Sequence, residues 1–397
     1  MPTPRETYSL SLRDVLILLA AFIITRAAIT AFGTFAVLRL DMNVGEEYTH
    51  LLEADGSIGG AALDMWYRWD AGFYATIATY GYDWYNERIP ADDMAFMPVY
   101  PALVRTVSAL IGTGSTGCAF SPYLSTCATI SGVIVSNIVL FAALVLLFDI
   151  AARRFNRPTA WRAVWLLLIS PISIYLSGVY TEATFLLLSL LTFWLLDRKR
   201  FALAVIAACA AAITRSVGIA LVPALLIYAW RDTSASRWIR LILALLPAAV
   251  FGAYIVGIGA YVGDPLAYFS TYELTWGREA GNVITAFTSY FSGEEVALMG
   301  WRLSWLDLGM TLTWLALAAF TFRMDRAWGA FGVVALVIPI ASGTLVGMPR
   351  FGAVIFAFYV LLAHWADRGW KLLIIYGASA ALALLMLTRF VTWRWIA

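Results

Sequence analysis

Residues 14–38 read DVLILLAAFIITRAAITAFGTFAVL, a run with only two charged side chains, Asp14 and Arg26. A bilayer span needs about 20 mostly apolar residues, and the same pattern recurs along the chain. Hydrophobic residues make up 62% of the 397 positions and charged residues 13%, against roughly 45–50% and about 25% in soluble domains. The sequence therefore predicts an all-α, polytopic membrane protein.

Ten further apolar stretches follow the first, so we expect about eleven transmembrane helices. The predicted spans are 14–38, 128–149, 161–179, 183–197, 202–214, 216–230, 239–262, 303–322, 327–346, 351–366 and 371–388. The two at 202–214 and 216–230 are short enough to form a broken pair that does not fully cross the bilayer. The first run is too long for a signal peptide and is not followed by a cleavage site of small residues, so we interpret it as a span.

Basic residues collect in the cytoplasmic loops of membrane proteins, and they divide the loops of this chain into two sets. With the N-terminus inside, the inner loops contain 16 of the 27 Lys and Arg residues. The outer side then holds two long segments, 39–127 and 263–302. This topology requires residues 96–112 to lie at the membrane interface, which their prolines and Arg105 favour.

The cysteines allow a prediction about one disulfide bond. Cys118 and Cys127 fall in the outer segment 39–127, where an oxidising environment allows them to close a small disulfide loop. Two free cysteines are the alternative. Cys209 lies in an apolar run and is expected to be a small packed residue.

Several kinds of active site are excluded. The two histidines, His50 and His364, lie on opposite membrane faces in this topology, so neither a histidine metal cluster nor a Ser-His-Asp triad can form. No G-x-x-x-x-G-K-[ST] motif occurs, which excludes ATP bound on a P-loop. Acid, base and aromatic chemistry on the outer face remains.

Ionisable residues in or beside apolar runs are functional candidates, because a charge in hydrocarbon is costly. Arg26 lies near the middle of the first span, Glu182 opens a span, and Arg215 and Arg350 stand between apolar runs. The last three face the same outer side as Asp70, which is surrounded by aromatic residues. The alternative is that each charge satisfies a helix end or pairs with another charge.

One carboxylate, several arginines and many aromatic rings suit a particular pair of substrates. Arginine binds phosphate through two parallel N–H donors, and aromatic faces stack on sugar rings. A sugar linked through phosphate to an isoprenoid chain fits a site at membrane depth. Because phosphate leaves without being protonated, one carboxylate that removes the proton of the attacking hydroxyl is sufficient. The residues predict sugar transfer from a lipid phosphate.

Five groups of motifs, in order, resemble those of the PIG-V-like mannosyltransferases. They are RWDAGFYATIATYGY (68–82) with AFMPVYP (95–101), SPISIYLSGVYTEATFLLLSLL (170–191), AAITRSVGIAL (211–221), GDPLAYFSTYELTWGRE (263–279) and GMPRFG (347–352). The resemblance covers most of the chain and implies the GT-C glycosyltransferase fold. We therefore predict one GT-C-type transmembrane domain, 1–397, in which 39–127 is an extracytoplasmic catalytic loop with interfacial helices and 263–302 is a second extracytoplasmic segment.

The resemblance also assigns roles to residues. Asp70 is expected to be the general base, with Arg68 and Trp69 as its immediate setting and Glu182 as the second choice. The predicted substrate-binding residues are Arg68, Trp69, Tyr74, Tyr100, Tyr180, Glu182, Arg215 and Arg350. Of these, Arg215 and Arg350 are the candidates for the donor phosphate. We expect no metal and no other cofactor; a cation held by Asp92, Asp93 and Asp70 is the alternative.

The predicted reaction is an inverting transfer of mannose from polyprenyl-phosphate mannose to a hydroxyl of a lipid-linked or membrane-associated glycan on the extracytoplasmic face. The expected partners are membrane lipids, this donor and a glycolipid or glycan acceptor, with no nucleic acid. The arginine-rich, lysine-poor sequence suggests a bacterial plasma membrane. The alternatives are another lipid-linked sugar, such as aminoarabinose or glucose, a multi-span transporter, or a non-catalytic lipid-binding protein. The lack of an internal repeat and the long outer segment disfavour a transporter.

Overall fold

The computed structural model describes residues 10–43, 56–82, 92–112, 120–121, 124–233, 235–276, 278, 283–292 and 304–394. They divide into two compact units, each described by itself. Residues 1–81, 98–187 and 362–396 belong to the first unit, and residues 82–97 and 188–361 belong to the second. The prediction of a single domain over residues 1–397 stays a prediction.

Nearly all the described residues with regular structure are helical. In chain order the α-helices are α1 (Leu12–Arg39), α2 (Ile58–Asp64), α3 (Ala71–Tyr80), α4 (Val99–Leu110), α5 (Thr126–Arg154), α6 (Arg157–Leu168), α7 (Glu182–Asp197), α8 (Phe201–Ala212), α9 (Leu221–Trp230), α10 (Arg237–Leu243), α11 (Leu246–Val262), α12 (Ala267–Trp276), α13 (Val283–Ser292), α14 (Trp305–Met324), α15 (Arg326–Ile340), α16 (Met348–Ala353), α17 (Phe356–Trp365) and α18 (Gly369–Val391). Two 3-10 helices are formed by Asp92–Ala95 and Ser216–Ala220. Strands β1 (Phe120–Ser121) and β2 (Leu124–Ser125) form a short antiparallel pair.

Five helical segments among the described residues are long and apolar enough to cross a membrane. They are α1, α5, the α10–α11 segment Arg237–Val262, α14 and α18. Each coincides with a predicted span, which confirms an all-α integral membrane protein. The other six predicted spans correspond to helices of 10 to 16 residues, so the total of eleven crossings stays a prediction.

The predicted span 161–179 is wrong as a continuous helix. Helix α6 ends at Leu168, and residues 169–181 form a series of turns. Pro171 explains the break, because proline has no N–H to donate and disfavours the helical conformation of the residue before it. The last carbonyl groups of α6 therefore need other donors.

Arg26 of α1 supplies those donors. Its guanidinium donates to the carbonyl oxygens of Leu168 and Ser173 at 2.9 and 3.0 Å, and to the hydroxyls of Ser173 and Ser177 at 2.7 and 3.0 Å. Arg26 is buried. This arrangement confirms the alternative reading of Arg26, in which an intramembrane charge satisfies a neighbouring helix end.

In the second unit, the predicted broken pair is present. Helix α8 ends at Ala212, and the 3-10 helix Ser216–Ala220 leads into α9. A Cβ atom at Gly218 would lie 2.3 Å from the carbonyl oxygen of Ala211. Only glycine allows this approach, which accounts for the glycine of the T-R-x-x-G motif. Helix α15 also ends earlier than expected, at Ile340 instead of residue 346.

Candidate active site

Asp70 lies at the end of a tight turn between α2 and α3, which we name the R-W-D turn (residues 65–70). The amide of Tyr67 donates to the Asp64 carbonyl at 3.0 Å, and the amide of Ala71 donates to the Arg68 carbonyl at 3.1 Å. Asp70 therefore occupies the N-cap position of α3 and is 8% exposed. A negative charge is favourable at a helix N-terminus, so this position suits a carboxylate.

The side chain of Arg68 is fully buried and bound within the protein. Its guanidinium forms an ion pair with Asp64 and also donates to the carbonyl oxygens of Asp64 and Tyr67. Its Nε donates to the carbonyl oxygen of Val391 at 3.3 Å. These contacts use four of the five guanidinium N–H groups. Substrate binding by Arg68 stays a prediction, and the contacts themselves anchor the turn.

Trp69 adopts an unusual backbone conformation. Its φ is +52°, in the left-handed region where a bulky residue is rarely found and where strain costs about 1–3 kcal/mol. Trp393, beyond the end of α18, has a φ of +58°. The two indole rings are in contact, with centroids 5.4 Å apart, and the Arg68 guanidinium lies 5.0 Å from the Trp393 ring centroid.

The turns at 169–181 bring a second motif to the R-W-D turn. The Tyr180 hydroxyl donates to the carbonyl oxygen of Arg68 at 2.6 Å, and the amide of Val179 donates to that of Trp66 at 3.4 Å. The hydroxyls of Tyr74 and Thr181 are 3.3 Å apart. The R-W-D and Y-T-E motifs, more than 100 residues apart in sequence, therefore pack together.

Three of the predicted substrate-binding tyrosines form one aromatic cluster. The Tyr74 ring lies 5.5 Å from that of Tyr100 and 6.2 Å from that of Tyr180. The Tyr100 hydroxyl lies 3.0 Å from that of Ser136. Burial raises the pKa of Tyr100, and the nearby Tyr74 and Glu182 raise it further, so this hydroxyl stays protonated at neutral pH. Glu182, the first residue of α7, is fully buried.

The remaining candidates, Arg215 and Arg350, belong to the second unit, in which two arginines lie over the ring of Phe351. The guanidinium of Arg215 lies 5.5 Å from the centroid of Phe351, and that of Arg278 lies 5.4 Å from it. Arg350 is the chain neighbour of Phe351 in α16. We name Arg215, Arg278 and Arg350 the arginine cluster. Its convergence with Asp70 stays a prediction.

Arg278 was missed as a candidate, although it lies inside the quoted motif 263–279. It donates to the Ser342 hydroxyl at 2.8 Å and to the carbonyl oxygen of Val346, and so it binds the turn that precedes α16. Asp64 was missed too, although its spacing of four residues from Arg68 was a usable signal. Trp393 gave no signal, because it is 324 positions away from Trp69.

The A-F-M-P stretch is held by tyrosine hydroxyls within the second unit. Tyr82 donates to the Phe96 carbonyl at 2.6 Å. Tyr254 of α11 donates to the carbonyls of Met94 and Phe96 at 3.1 and 3.2 Å. The acceptors are thus the carbonyl groups of Met94, directly before the motif, and of Phe96 within it.

The absence of a metal stays a prediction, whereas the structure bears on the predicted disulfide. Within the described ranges, no group of three His, Cys, Asp or Glu residues is arranged to hold a metal ion. Asp92 and Asp93 open a 3-10 helix of the second unit. Cys127 lies in the first turn of α5 and is disulfide-bonded, which contradicts the alternative of two free cysteines; its predicted partner, Cys118, lies outside the described residues. Cys209 is a free cysteine.

Comparisons with known proteins give the fold and the family. ArnT from Cupriavidus metallidurans, crystallised with undecaprenyl phosphate, is 16% identical with a TM-score of 0.50, over 95% of this chain and 65% of that one. This likeness shows a shared GT-C fold. The oligosaccharyltransferase of Archaeoglobus fulgidus, crystallised with Zn and sulfate, is 12% identical with a TM-score of 0.40, over 92% of this chain and 53% of that one.

The chain thus spans about two thirds of the length of ArnT and about half that of the oligosaccharyltransferase. No curated protein matches the sequence. A family model described as Mannosyltransferase (PIG-V) matches residues 57–275, which is more than half of the 397 residues. The protein belongs to the Mannosyltransferase (PIG-V) family.

Proposed function

We propose that this protein is an inverting glycosyltransferase that moves mannose from polyprenyl-phosphate mannose to a hydroxyl of a lipid-linked or membrane-associated glycan. The observation that carries the proposal is the packing of the R-W-D turn against residues 169–181 through the Tyr180–Arg68 hydrogen bond. This packing brings the turn of Asp70 and the segment preceding Glu182 into one buried aromatic region of the first unit. Such a region suits a carboxylate that acts on a bound sugar.

In the proposed reaction, the carboxylate of Asp70 accepts the proton of the acceptor hydroxyl. The acceptor oxygen attacks C1 of mannose from the face opposite the phosphate, and a new C1–O bond forms. The bond between C1 and the phosphate oxygen breaks, and its electron pair leaves with the polyprenyl phosphate. A base of this kind typically contributes about 10²–10⁴-fold in rate. The phosphate leaves as an anion, so no acid is required.

The arginine cluster is proposed to bind the departing phosphate. Arg215 and Arg350 were selected for this role from the sequence, and Arg278 shares the Phe351 ring with Arg215. Two guanidinium groups at one ring, with Arg350 next to Phe351 in the chain, suit a dianionic ligand, because arginine binds phosphate through two parallel N–H donors. The ArnT structure was solved with undecaprenyl phosphate, which supports a polyprenyl-phosphate donor here by analogy of fold. The reaction is proposed to need no metal.

The proposal is tested by incubating the purified protein with radiolabelled polyprenyl-phosphate mannose and a membrane lipid extract. We expect a labelled glycolipid, with release of polyprenyl phosphate. Parallel reactions with lipid-linked aminoarabinose and glucose distinguish the alternative donors. Transfer from GDP-mannose without any lipid-linked intermediate would contradict the proposal. Nucleotide sugars are made in the cytoplasm, and the proposed site lies on the other side of the membrane.

The site is proposed to lie on the extracytoplasmic side of a bacterial plasma membrane. The proposal follows from the basic residues at 153–162 and 198–200, which mark the inner face. Single-cysteine labelling of intact cells with an impermeant reagent tests it. Position 57 is expected to react and positions 154 and 199 to stay unlabelled. Labelling at 154 from outside would invert the topology.

A further inference from the structure

We propose that Trp393 and Asp64 are positioning residues, which act through Trp69 and Arg68 to hold the backbone turn that presents Asp70. Neither residue contacts the proposed substrates in the reaction described above. Trp393 also lies outside the segment matched by the family model, which ends at residue 275. The consequence for catalysis rests on the proposed role of Asp70, whereas the effect on the turn does not.

The first support is the pair of left-handed residues. Trp69 and Trp393 have φ values of +52° and +58°, and their rings are in contact at 5.4 Å with an interplanar angle of 59°. A bulky residue keeps such a conformation only where its surroundings over-determine it. Each tryptophan ring is part of the surroundings of the other. The contact therefore links the shape of the R-W-D turn to the end of α18.

The second support is the environment of Arg68. Its guanidinium is held by the Asp64 carboxylate, by the Val391 carbonyl at 3.3 Å and by the Trp393 ring at 5.0 Å. The side chain has 0% exposure. A guanidinium in this setting remains in place only if its charge is paired. Asp64 therefore fixes Arg68, and Arg68 in turn connects the turn to the last residues of α18.

The third support is that the end of α18 is itself fixed. The carbonyl of Thr392 accepts from the amide of Asn43 at 2.9 Å, and the Thr392 side chain is fully buried. The Arg68 carbonyl accepts from the Tyr180 hydroxyl at 2.6 Å. Trp393 therefore directly follows a residue that is itself held in place, so its ring can support the turn.

The consequence follows from the order of the chain. Asp70 directly follows Trp69, so a change in φ at Trp69 swings the Asp70 carboxylate away from its present direction. A displacement of about 1 Å can cost about 10²-fold in rate. Loss of the Trp393 ring is therefore expected to lower kcat while leaving donor binding by the arginine cluster unchanged.

The test compares Trp393→Ala, Trp393→Phe and Asp64→Asn with two matched controls. Trp370→Ala removes a 59% exposed tryptophan from the opposite end of the same helix. Asp149→Asn removes the carboxylate of another i, i+4 pair, Asp149–Arg153. Amide hydrogen exchange of residues 66–75 reports the turn without reference to activity, and steady-state kinetics report kcat and KM separately. Size-exclusion profiles in detergent confirm that each variant is folded.

We expect Trp393→Ala and Asp64→Asn to accelerate exchange in residues 66–75 and to lower kcat by about 10–10²-fold, with KM for the donor changed less than about threefold. Trp393→Phe is expected to restore most of kcat, because it keeps a ring against Arg68. Both controls are expected to match wild type. Unchanged exchange at 66–75 in Trp393→Ala overturns the inference. If exchange is faster in Trp393→Ala but the Asp70→Asn variant is fully active, the positioning role is supported and the proposed base is overturned instead.

Discussion

The R-W-D turn and the turn at residues 341–347 both connect two helices, and each presents a charged candidate residue, Asp70 in one and Arg350 shortly after the other. They differ in how they obtain left-handed backbone. In the second turn, Gly343 and Gly347 have φ values of +79° and +81°, which glycine adopts without steric cost. In the first, Trp69 does so against its intrinsic preference.

The two turns therefore differ in which residues determine their backbone conformation. The conformation of the turn at residues 341–347 is determined largely by its own residues. Arg278 adds hydrogen bonds to Ser342 and Val346. The conformation of the R-W-D turn depends instead on residues far away in the sequence. Trp69 can keep its left-handed backbone only when those residues are packed around it. A strained residue beside a candidate base is a known feature of active sites. The comparison therefore favours the R-W-D turn as the chemical centre.

The largest effect is expected from Asp70→Asn, which removes the proposed base with little change in volume. Transfer should fall by about 10²–10⁴-fold, measured as initial rate at saturating donor and acceptor. Asp41→Asn, which alters an exposed carboxylate of the same outer segment, is the control and should be unaffected. An Asp70→Asn enzyme that keeps more than about a tenth of the rate would move the base to Glu182.

Arg350→Ala tests the other turn. Loss of a charge-assisted contact of about 1.5–3 kcal/mol should lower kcat/KM for the lipid-phosphate donor by about 10–10²-fold. Arg350→Lys should restore only part of this, since lysine lacks the bidentate fork. Arg323→Ala, at an exposed arginine that stacks on Phe320, serves as the control. Equal donor dependence in all variants would remove Arg350 from the phosphate site.

Gly347→Ala tests whether the second turn depends on its own glycine. A Cβ atom at a φ of +81° should lower the free energy of unfolding by about 1–2 kcal/mol, measured by titration with SDS from a mild detergent. Gly257→Ala is the matched control, because its Cβ would meet no atom within 4 Å in the interior of α11. That variant should be neutral or stabilised by up to about 1 kcal/mol. Equal stabilities of the two variants would contradict the comparison.

Tyr180→Phe is expected to give the smallest effect. It removes the hydroxyl donor to the Arg68 carbonyl at 2.6 Å, while the Ala71 amide still donates to that oxygen. The expected loss is about 0.5–1.5 kcal/mol in the free energy of unfolding, with faster hydrogen exchange at the R-W-D turn. Tyr261→Phe, which removes the hydroxyl of a 66% exposed tyrosine that donates to the Tyr82 carbonyl at 3.3 Å, should leave exchange at the R-W-D turn unchanged. A neutral Tyr180→Phe would mean that the turn does not depend on this bond.

Local signals in the sequence were sufficient for much of the fold. Hydropathy located α1, α5, α14 and α18 within a few residues, because a membrane span is set by length and composition alone. Pro171 was a visible helix breaker, yet the apolar residues around it concealed the break at Leu168. A window that averages hydropathy cannot register one missing N–H group.

The candidate site was only partly readable. Motif resemblance selected Tyr74, Tyr100 and Tyr180, which the structure brings into one cluster. It did not indicate that Trp69 takes a left-handed conformation, since sequence rules reserve that region for glycine and asparagine. The contact with Trp393 was also unreadable, because it joins distant parts of the chain and depends on tertiary packing.

Arg26 has a consequence for how the protein is made. Its partners at residues 168–177 are synthesised some 140 residues after it, so during translation α1 enters the membrane with an unsatisfied arginine near its centre. An arginine at that depth costs about 2.5–3.5 kcal/mol in insertion by the translocon. We expect α1 to stay beside the translocon until residue 177 has emerged, as crosslinking of ribosome-bound chains of increasing length would reveal. Once the groups at the end of α6 pair with Arg26, we expect α1 to leave the translocon and enter the lipid.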